Sequence, residues 1–257
     1  MDITDSIMRA RPAGMAEAEW RLRIELAACY RIFDFLGWTE LIFNHITLRL
    51  PGPERHYLIN PFGLNYCEVT ATNLVKVGLD GKAVEPSPDP VNVAGFTIHS
   101  AIHAAREDAH CVMHTHTSAG MAVAQKEAGL AHDNFYGAML TGCVAYHDFE
   151  GLSVHADEQP RLVKSLGDKD ILILRNHGLL VVGRDVPAAL HLMWHLQRAC
   201  EVQVQSGSMP GPDRKLSDAV RRRCVDDAAS FEPVGRLQRM LMASILRRAG
   251  VELEAIV

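Results

Sequence analysis

Two short segments of this chain are best equipped for chemistry: His114-Thr115-His116 and Arg175-Asn176-His177-Gly178. The apolar run Cys111-Val112-Met113 directly precedes the first and reads as the end of a buried strand. Side chains alternate along a strand, so residues two apart face the same way. His114 and His116 therefore present two imidazoles side by side. A second apolar run, Ile171-Leu172-Ile173-Leu174, leads to His177 and places a third imidazole at another strand end. Three imidazoles without a fourth protein ligand make an open, catalytic-type site for a divalent transition metal; a structural site would be closed. With 13 histidines in 257 residues, the first pair alone means little, and its coincidence with His177 carries the reading. Neutral ligands leave an ion most of its charge, so it can polarise a carbonyl and stabilise an enolate. Gly178 is expected to let the backbone turn tightly beside the metal.

The elements that must position these residues follow from periodicity. A helix is predicted over 16–36, with Trp20, Ile24, Ala27, Ala28, Phe33 and Leu36 near one stripe and Gly37 as its stop. Strands follow at about 45–50 and 56–60, then a turn or helix start at Thr70-Ala71-Thr72-Asn73. Val75-Lys76-Val77 and a strand beyond Asp80-Gly81 read as a hairpin, since Asp-Gly suits a primed turn. A helix over 92–106 leads to the strand carrying His114. Helices at about 117–128 and 158–167 and strands at 142–146, 170–175 and 179–183 precede a long helix from Pro187 to about Gly207. Ser206 to Pro212 shifts composition towards a linker. Beyond it, Arg221-Arg222-Arg223 and Arg236 to Arg248 read as amphipathic helices with solvated or subunit-contacting basic faces.

Composition excludes several classes. Hydrophobic content of 48% with 22% charged residues is that of a globular protein with a full core. A net charge of −5 argues against a general nucleic-acid binder. No stretch of 18 apolar residues exists, so no membrane span is expected. Met1 to Gly14 lacks the apolar core of a secretory signal. Six cysteines, at 29, 67, 111, 143, 200 and 224, form no CxxC and read as free thiols of a cytoplasmic protein.

Four segments in order, WTELIFNHITLR at 38–49, INPFGLNYCEVTATNLVKVGLDG at 59–81, IHSAIHAAREDAHCVMHTHT at 98–117 and ILILRNHGLLVVG at 171–183, resemble the class II aldolase/adducin family. The resemblance spans roughly residues 18 to 207. It implies an α/β fold, a three-layer α/β/α sandwich around a mostly antiparallel sheet, as a domain over 1–207. Residues 208–257 would then be a helical extension packed on that domain or on a neighbouring subunit. It also implies one divalent metal ion per subunit held by His114, His116 and His177. Zinc is the first expectation, with manganese, iron or cobalt as alternatives, and the assembly a homotetramer acting on a small-molecule substrate.

This chain departs from the family's sugar-phosphate aldolases where they handle protons and phosphate. Their acid/base glutamate lies 19 residues before the first ligand histidine, which here is Gly95, and residues 91 to 104 contain no Asp or Glu. The preceding serines become Val93-Ala94, the threonine-glycine turn becomes Phe62-Gly63, and the Gly-Asn anion turn becomes Asn44-His45. Most hydroxyl donors of an anion cradle are thus replaced by apolar groups. Asn44, Phe62, Gly63, Val93, Ala94 and Gly95 are expected to line a site for a non-phosphorylated carbonyl or an aromatic or hydroxy acid. Tyr136, one residue from the family's tyrosine proton donor, and His45 are the candidates for the missing catalytic group. His99 is expected to orient a ligand histidine by hydrogen bonding. His191 and His195 read as a subunit or sheet-facing contact, and Glu68 and Thr70 as a capped turn.

Three functions fit. The first is a metal-dependent lyase, cleaving an aldol or releasing carbon dioxide; loss of the glutamate hurts decarboxylation less, since that reaction needs no base at a hydroxyl. The second is an epimerase or dehydratase on the same scaffold. The third is a non-catalytic interaction protein like the adducin head, which has no need of three ligand histidines.

Overall fold

The computed structural model describes residues 5–87, 90–92, 95–230 and 235–257. Val93 and Ala94, two of the expected substrate-facing positions, lie outside the described residues. Seven strands form one mixed sheet: β1 Ile46–Arg49, β2 Tyr57–Ile59, β3 Val75–Val77, β4 Cys111–Thr115, β5 Val144–His147, β6 Ile171–Leu174 and β7 Gly178–Gly183. Their order is β3-β2-β1-β4-β7-β6-β5. Every neighbouring pair is antiparallel except β5 and β6.

The central strands are largely apolar because both of their faces are covered. Cys111, Met113, Ile171, Ile173, Leu179 and Val181 face one layer, built on the helices Glu17–Leu36 and Val186–Gly207. Val112, Leu172, Leu174, Leu180 and Val182 face the other, where they meet Ile98, Ile102, Leu162 and Leu166. This is the α/β/α sandwich with a mostly antiparallel sheet. The helix Arg236–Ala249 sinks Met242, Ile245 and Leu246 into the first of these cores. The Ile256 carbonyl accepts the Ala71 N–H at 2.7 Å, so the chain's end is stitched to the same layer. The helix Asp218–Ser230 buries none of its residues.

Three expectations change. No ladder strand follows Asp80-Gly81 among the described residues; the hairpin shrinks to a single bridge between Val77 and Ala83. The helix expected over 92–106 is not a continuous α-helix. Phe96–Ser100 forms a π-helix and Ala101–Ala105 an α-helix. A π turn holds one extra residue, and single-turn π segments recur at functional sites. The helix expected at 117–128 is shorter, Ser118–Ala124.

One side chain ties the first helix to the strand that enters the site. The buried Tyr30 hydroxyl accepts the N–H of Ile46 at 3.0 Å and of Asn60 at 3.1 Å. It donates towards the Ile46 carbonyl at 2.5 Å and also lies 3.0 Å from Asn60 Oδ1. It thus fixes the start of β1, one residue after His45. Tyr30→Phe would strand two buried backbone donors, each costing about 1–3 kcal/mol when left unpaired. A clear drop in the urea midpoint is expected for this variant, and an unchanged midpoint would refute the role.

Candidate metal centre

His114 is the second-last residue of β4, opposite Leu180 of β7. Its Nδ1 lies 2.9 Å from the Leu179 carbonyl oxygen. A carbonyl only accepts, so Nδ1 carries the hydrogen and Nε2 is left with a free lone pair. That Nε2 stands 2.7 Å from His116 Nε2. His116 sits at the joint where the strand becomes a helix, and Thr117 fixes that joint. The Thr117 hydroxyl accepts the Gly120 N–H at 3.2 Å and donates to Gln197 on the long helix at 2.6 Å.

His177 comes from the three-residue loop between β6 and β7. Asn176 there adopts φ 57°, a left-handed conformation that asparagine tolerates better than most residues. Arg175 braces the loop, donating to the Lys126 carbonyl at 2.7 Å and lying 4.4 Å from the centre of the Tyr146 ring. Gly178 serves by close approach. A Cβ there would lie 2.4 Å from the Thr115 carbonyl oxygen and 3.0 Å from His116 Cδ2.

One nitrogen from each of the three imidazoles lies within 4.8 Å of the others. Burial pushes the His114 imidazole well below its usual range and His177 to about 4. It lowers His116 as well, against the opposing charge of the exposed Glu40. All three are therefore neutral near pH 7, the form that binds metal. A neutral nitrogen set, with one tautomer locked by a backbone carbonyl, fits a divalent transition metal.

The expected neighbours are placed unevenly. The register of β1 against β4 sets Ile46 across from Met113, and the His114 N–H points at the His45 carbonyl at 3.4 Å. His45 thus flanks the triad, its ring centre 5.3 Å from that of His114 and stacked 4.3 Å from His99. Gly95 lies against the same ring: a Cβ there would be 2.4 Å from His45 Cδ2. The imidazole of His45 therefore fills the space that a side chain at position 95 would enter. Asn44, His45 and His99 are all buried. Among the described residues, both amide atoms of Asn44 and Nε2 of His99 have no hydrogen-bond partner, and His45 has no partner beyond a contact with the Phe43 backbone. Left dry, each such atom costs about 1–3 kcal/mol, so a polar partner here, whether water or a bound molecule, would be favourable.

Phe62 and Gly63 form a turn whose glycine has φ 105°, with the Phe62 N–H on the Pro90 carbonyl at 3.0 Å. Tyr136 goes elsewhere within this chain. Its ring lies 5.9 Å from that of His195 and 5.5 Å from the Arg198 guanidinium, both on the long helix, and none of its described contacts reaches the triad. His191 and His195 face one another at 4.3 Å on that helix. Two residues near the site escaped sequence reasoning: Glu40, and Thr47, which bonds to His99. Thr47 had a signal, since it lies two residues after His45 along a strand and shares its face.

The family model described as Class II Aldolase and Adducin N-terminal domain matches residues 24–204. The chain belongs to the class II aldolase/adducin family. It is 49% identical over 201 residues to alpha-adducin of Rattus norvegicus, a match covering 77% of this chain and 27% of that protein. The crystal structure of an aldolase II superfamily protein from Pseudomonas syringae is similar at a TM-score of 0.84 and 40% identity, covering 91% of this chain and 95% of that one. An L-fuculose 1-phosphate aldolase from Glaciozyma antarctica PI12 is similar at a TM-score of 0.79 and 27% identity, covering 95% and 96%. The triad thus lies in a class II aldolase/adducin domain.

Two outcomes are expected of this geometry. Gly95→Ala overpacks the His45 ring, a change that costs about 1–3 kcal/mol in a tight site. Adding His45→Ala in the same chain is expected to recover most of that loss in thermal denaturation; simple additivity of the two losses would refute the contact. The second concerns acid. Burial lowers His45 and His103 to about 3 and His177 to about 4, from the usual 6.5. The folded state therefore binds fewer protons than the unfolded chain below that usual value, and stability is lost as pH falls. Urea midpoints of chelator-treated protein are expected to decline as pH falls from about 6.5 to about 3, and a flat profile would contradict neutral buried imidazoles.

Proposed function

We propose that this family member is a divalent-metal-dependent carbon–carbon lyase acting on a non-phosphorylated carbonyl or hydroxy-acid substrate. The observation that supports this best is the triad itself: three neutral imidazoles, with the His114 lone pair aimed inward by the Leu179 carbonyl. A divalent ion held by His114, His116 and His177 supplies Lewis acidity towards a carbonyl oxygen. Asn44 Nδ2 and one His45 nitrogen offer hydrogen bonds to a substrate carbonyl or carboxylate beside it. The buried wall around them excludes water and strengthens those contacts. Gly95 brings no carboxylate, so a proton would be handled by another group, with the His45 imidazole and Tyr136 as the candidates. Phe62, Val93 and Ala94, in place of hydroxyl residues, speak against a sugar phosphate.

A second reading has its own support. The identity to alpha-adducin, together with Gly95, favours a non-catalytic interaction module on the same fold. An epimerase or dehydratase on the same scaffold would, like aldol cleavage, need a placed acid or base, so the absence of a carboxylate at position 95 bears on it equally.

Elemental mass spectrometry of the purified protein separates the two readings. About one divalent ion per chain is expected, falling below a tenth of that in His114→Ala and His177→Ala. A screen of hydroxy-ketones and hydroxy and aromatic acids then reads aldehyde against carbon dioxide release. Absence of metal after reconstitution, or a metal-loaded protein inert towards every member of the screen, would move the assignment to the interaction module. Rapid cleavage of a phosphorylated ketose would overturn the substrate class.

A further inference from the structure

A buried hydrogen-bonded chain leads away from the triad. Thr47 Oγ1 lies 2.7 Å from His99 Nδ1 and 2.8 Å from His103 Nε2. His103 Nδ1 in turn lies 2.9 Å from the Ala109 carbonyl oxygen. Thr47, His99 and His103 are each fully buried or nearly so, and burial holds both imidazoles neutral. His99 lies in the π-helix and His103 in the α-helix that continues it, four residues on and on the same face, so both rings reach one hydroxyl.

The direction of every hydrogen follows from the carbonyl end. Ala109 O can only accept, so His103 Nδ1 carries the hydrogen and its Nε2 is a lone pair. The single hydrogen of Thr47 must serve that lone pair. Oγ1 then remains only as an acceptor towards His99, so His99 Nδ1 carries a hydrogen. His99 Nε2 is left bare. It is buried and has no partner among the described residues.

The ring of His99 stacks on His45, which in turn lies against His114. Stacking covers the face of an imidazole and leaves its edge, where the Nε2 lone pair lies. Asn44 and His45 can donate to an oxygen of a bound molecule. His99 Nε2 cannot donate, so its partner must bring its own hydrogen.

We propose that His99 Nε2 is the acceptor for a hydroxyl group of the ligand, which makes the ligand a hydroxy acid or hydroxy-carbonyl compound, and that Thr47 and His103 are positioning residues that hold His99 in this tautomer. The choice of ligand rests on the metal-dependent reading above, whereas the tautomer of His99 does not.

The tautomer is read by long-range proton–nitrogen correlation NMR on protein labelled with ¹⁵N-histidine, with His99→Gln and His103→Gln used for assignment. Wild type and Thr47→Ser are expected to show both rings protonated at Nδ1. Thr47→Val is expected to give His99 a mixed or Nε2-protonated signature. An Nε2-protonated His99 in wild type, or no change in Thr47→Val, would overturn the chain.

The ligand is read by calorimetry on zinc-loaded protein with lactate and its deoxy analogue propionate. The preference for lactate is expected to shrink about fivefold in Thr47→Val and in His99→Phe, the scale of one neutral hydrogen bond. It is expected to return in Thr47→Ser, with zinc content unchanged throughout. An equal preference in wild type and both variants, or no lactate binding at all, would overturn the hydroxyl assignment. A protein that takes up no zinc would sink the metal-dependent reading and the ligand with it, and the NMR result would then stand or fall alone.

Discussion

The candidate site depends on one alignment, that of β4 between β1 and β7. Its partners decide that His114 reaches the Leu179 carbonyl on one side and His45 on the other. A slip of one residue would turn every side chain of β4 to the opposite face. What forbids the slip is burial on both faces: Cys111 and Met113 fill one core while Val112 fills the other. The apolar layers thus fix the register that places the histidines. Tyr30 does the same for β1, reaching across from the first helix to lock the residue that follows His45.

Much of this was legible in the sequence because it rests on period. The run ending at His114 and the run ending at His177 are apolar because both sheet faces are covered, and that pattern alone gave the two strand ends. Other features leave no periodic trace. A π turn adds one residue to a helix without changing its composition, so Phe96–Ser100 reads like any other helical segment. The Asp80-Gly81 dipeptide is a sound turn signal, yet the chain beyond it forms only one bridge, since a turn does not supply the cross-strand burial a ladder needs. Tyr136 matched a position by its distance along the chain, whereas its surroundings in space are the long helix, at His195 and Arg198. Sequence offset does not encode which element a short helix packs on.

Gly95 and His45 are one local arrangement. Read singly, the glycine is a loss and the histidine an oddity in a turn. In space the ring of His45 lies where a side chain at 95 would begin. A corner that could have held a carboxylate holds an imidazole, and the polar atoms around it are neutral. The family embraces aldolases and adducins, and the fold alone does not choose between them. The choice lies in these few side chains, which keep the imidazoles and replace the acid.

The chain through Thr47 also has a sign. Its N–H, O–H and N–H bonds all point the same way, from His99 towards the Ala109 carbonyl. Aligned bond dipoles add, so the end at His99 is the negative pole of a short wire laid in a medium of low polarisability. A dianion brought to that end would meet repulsion where a neutral hydroxyl meets attraction. In the proposed tautomer, Thr47 sets the sign of that pole without itself meeting a ligand.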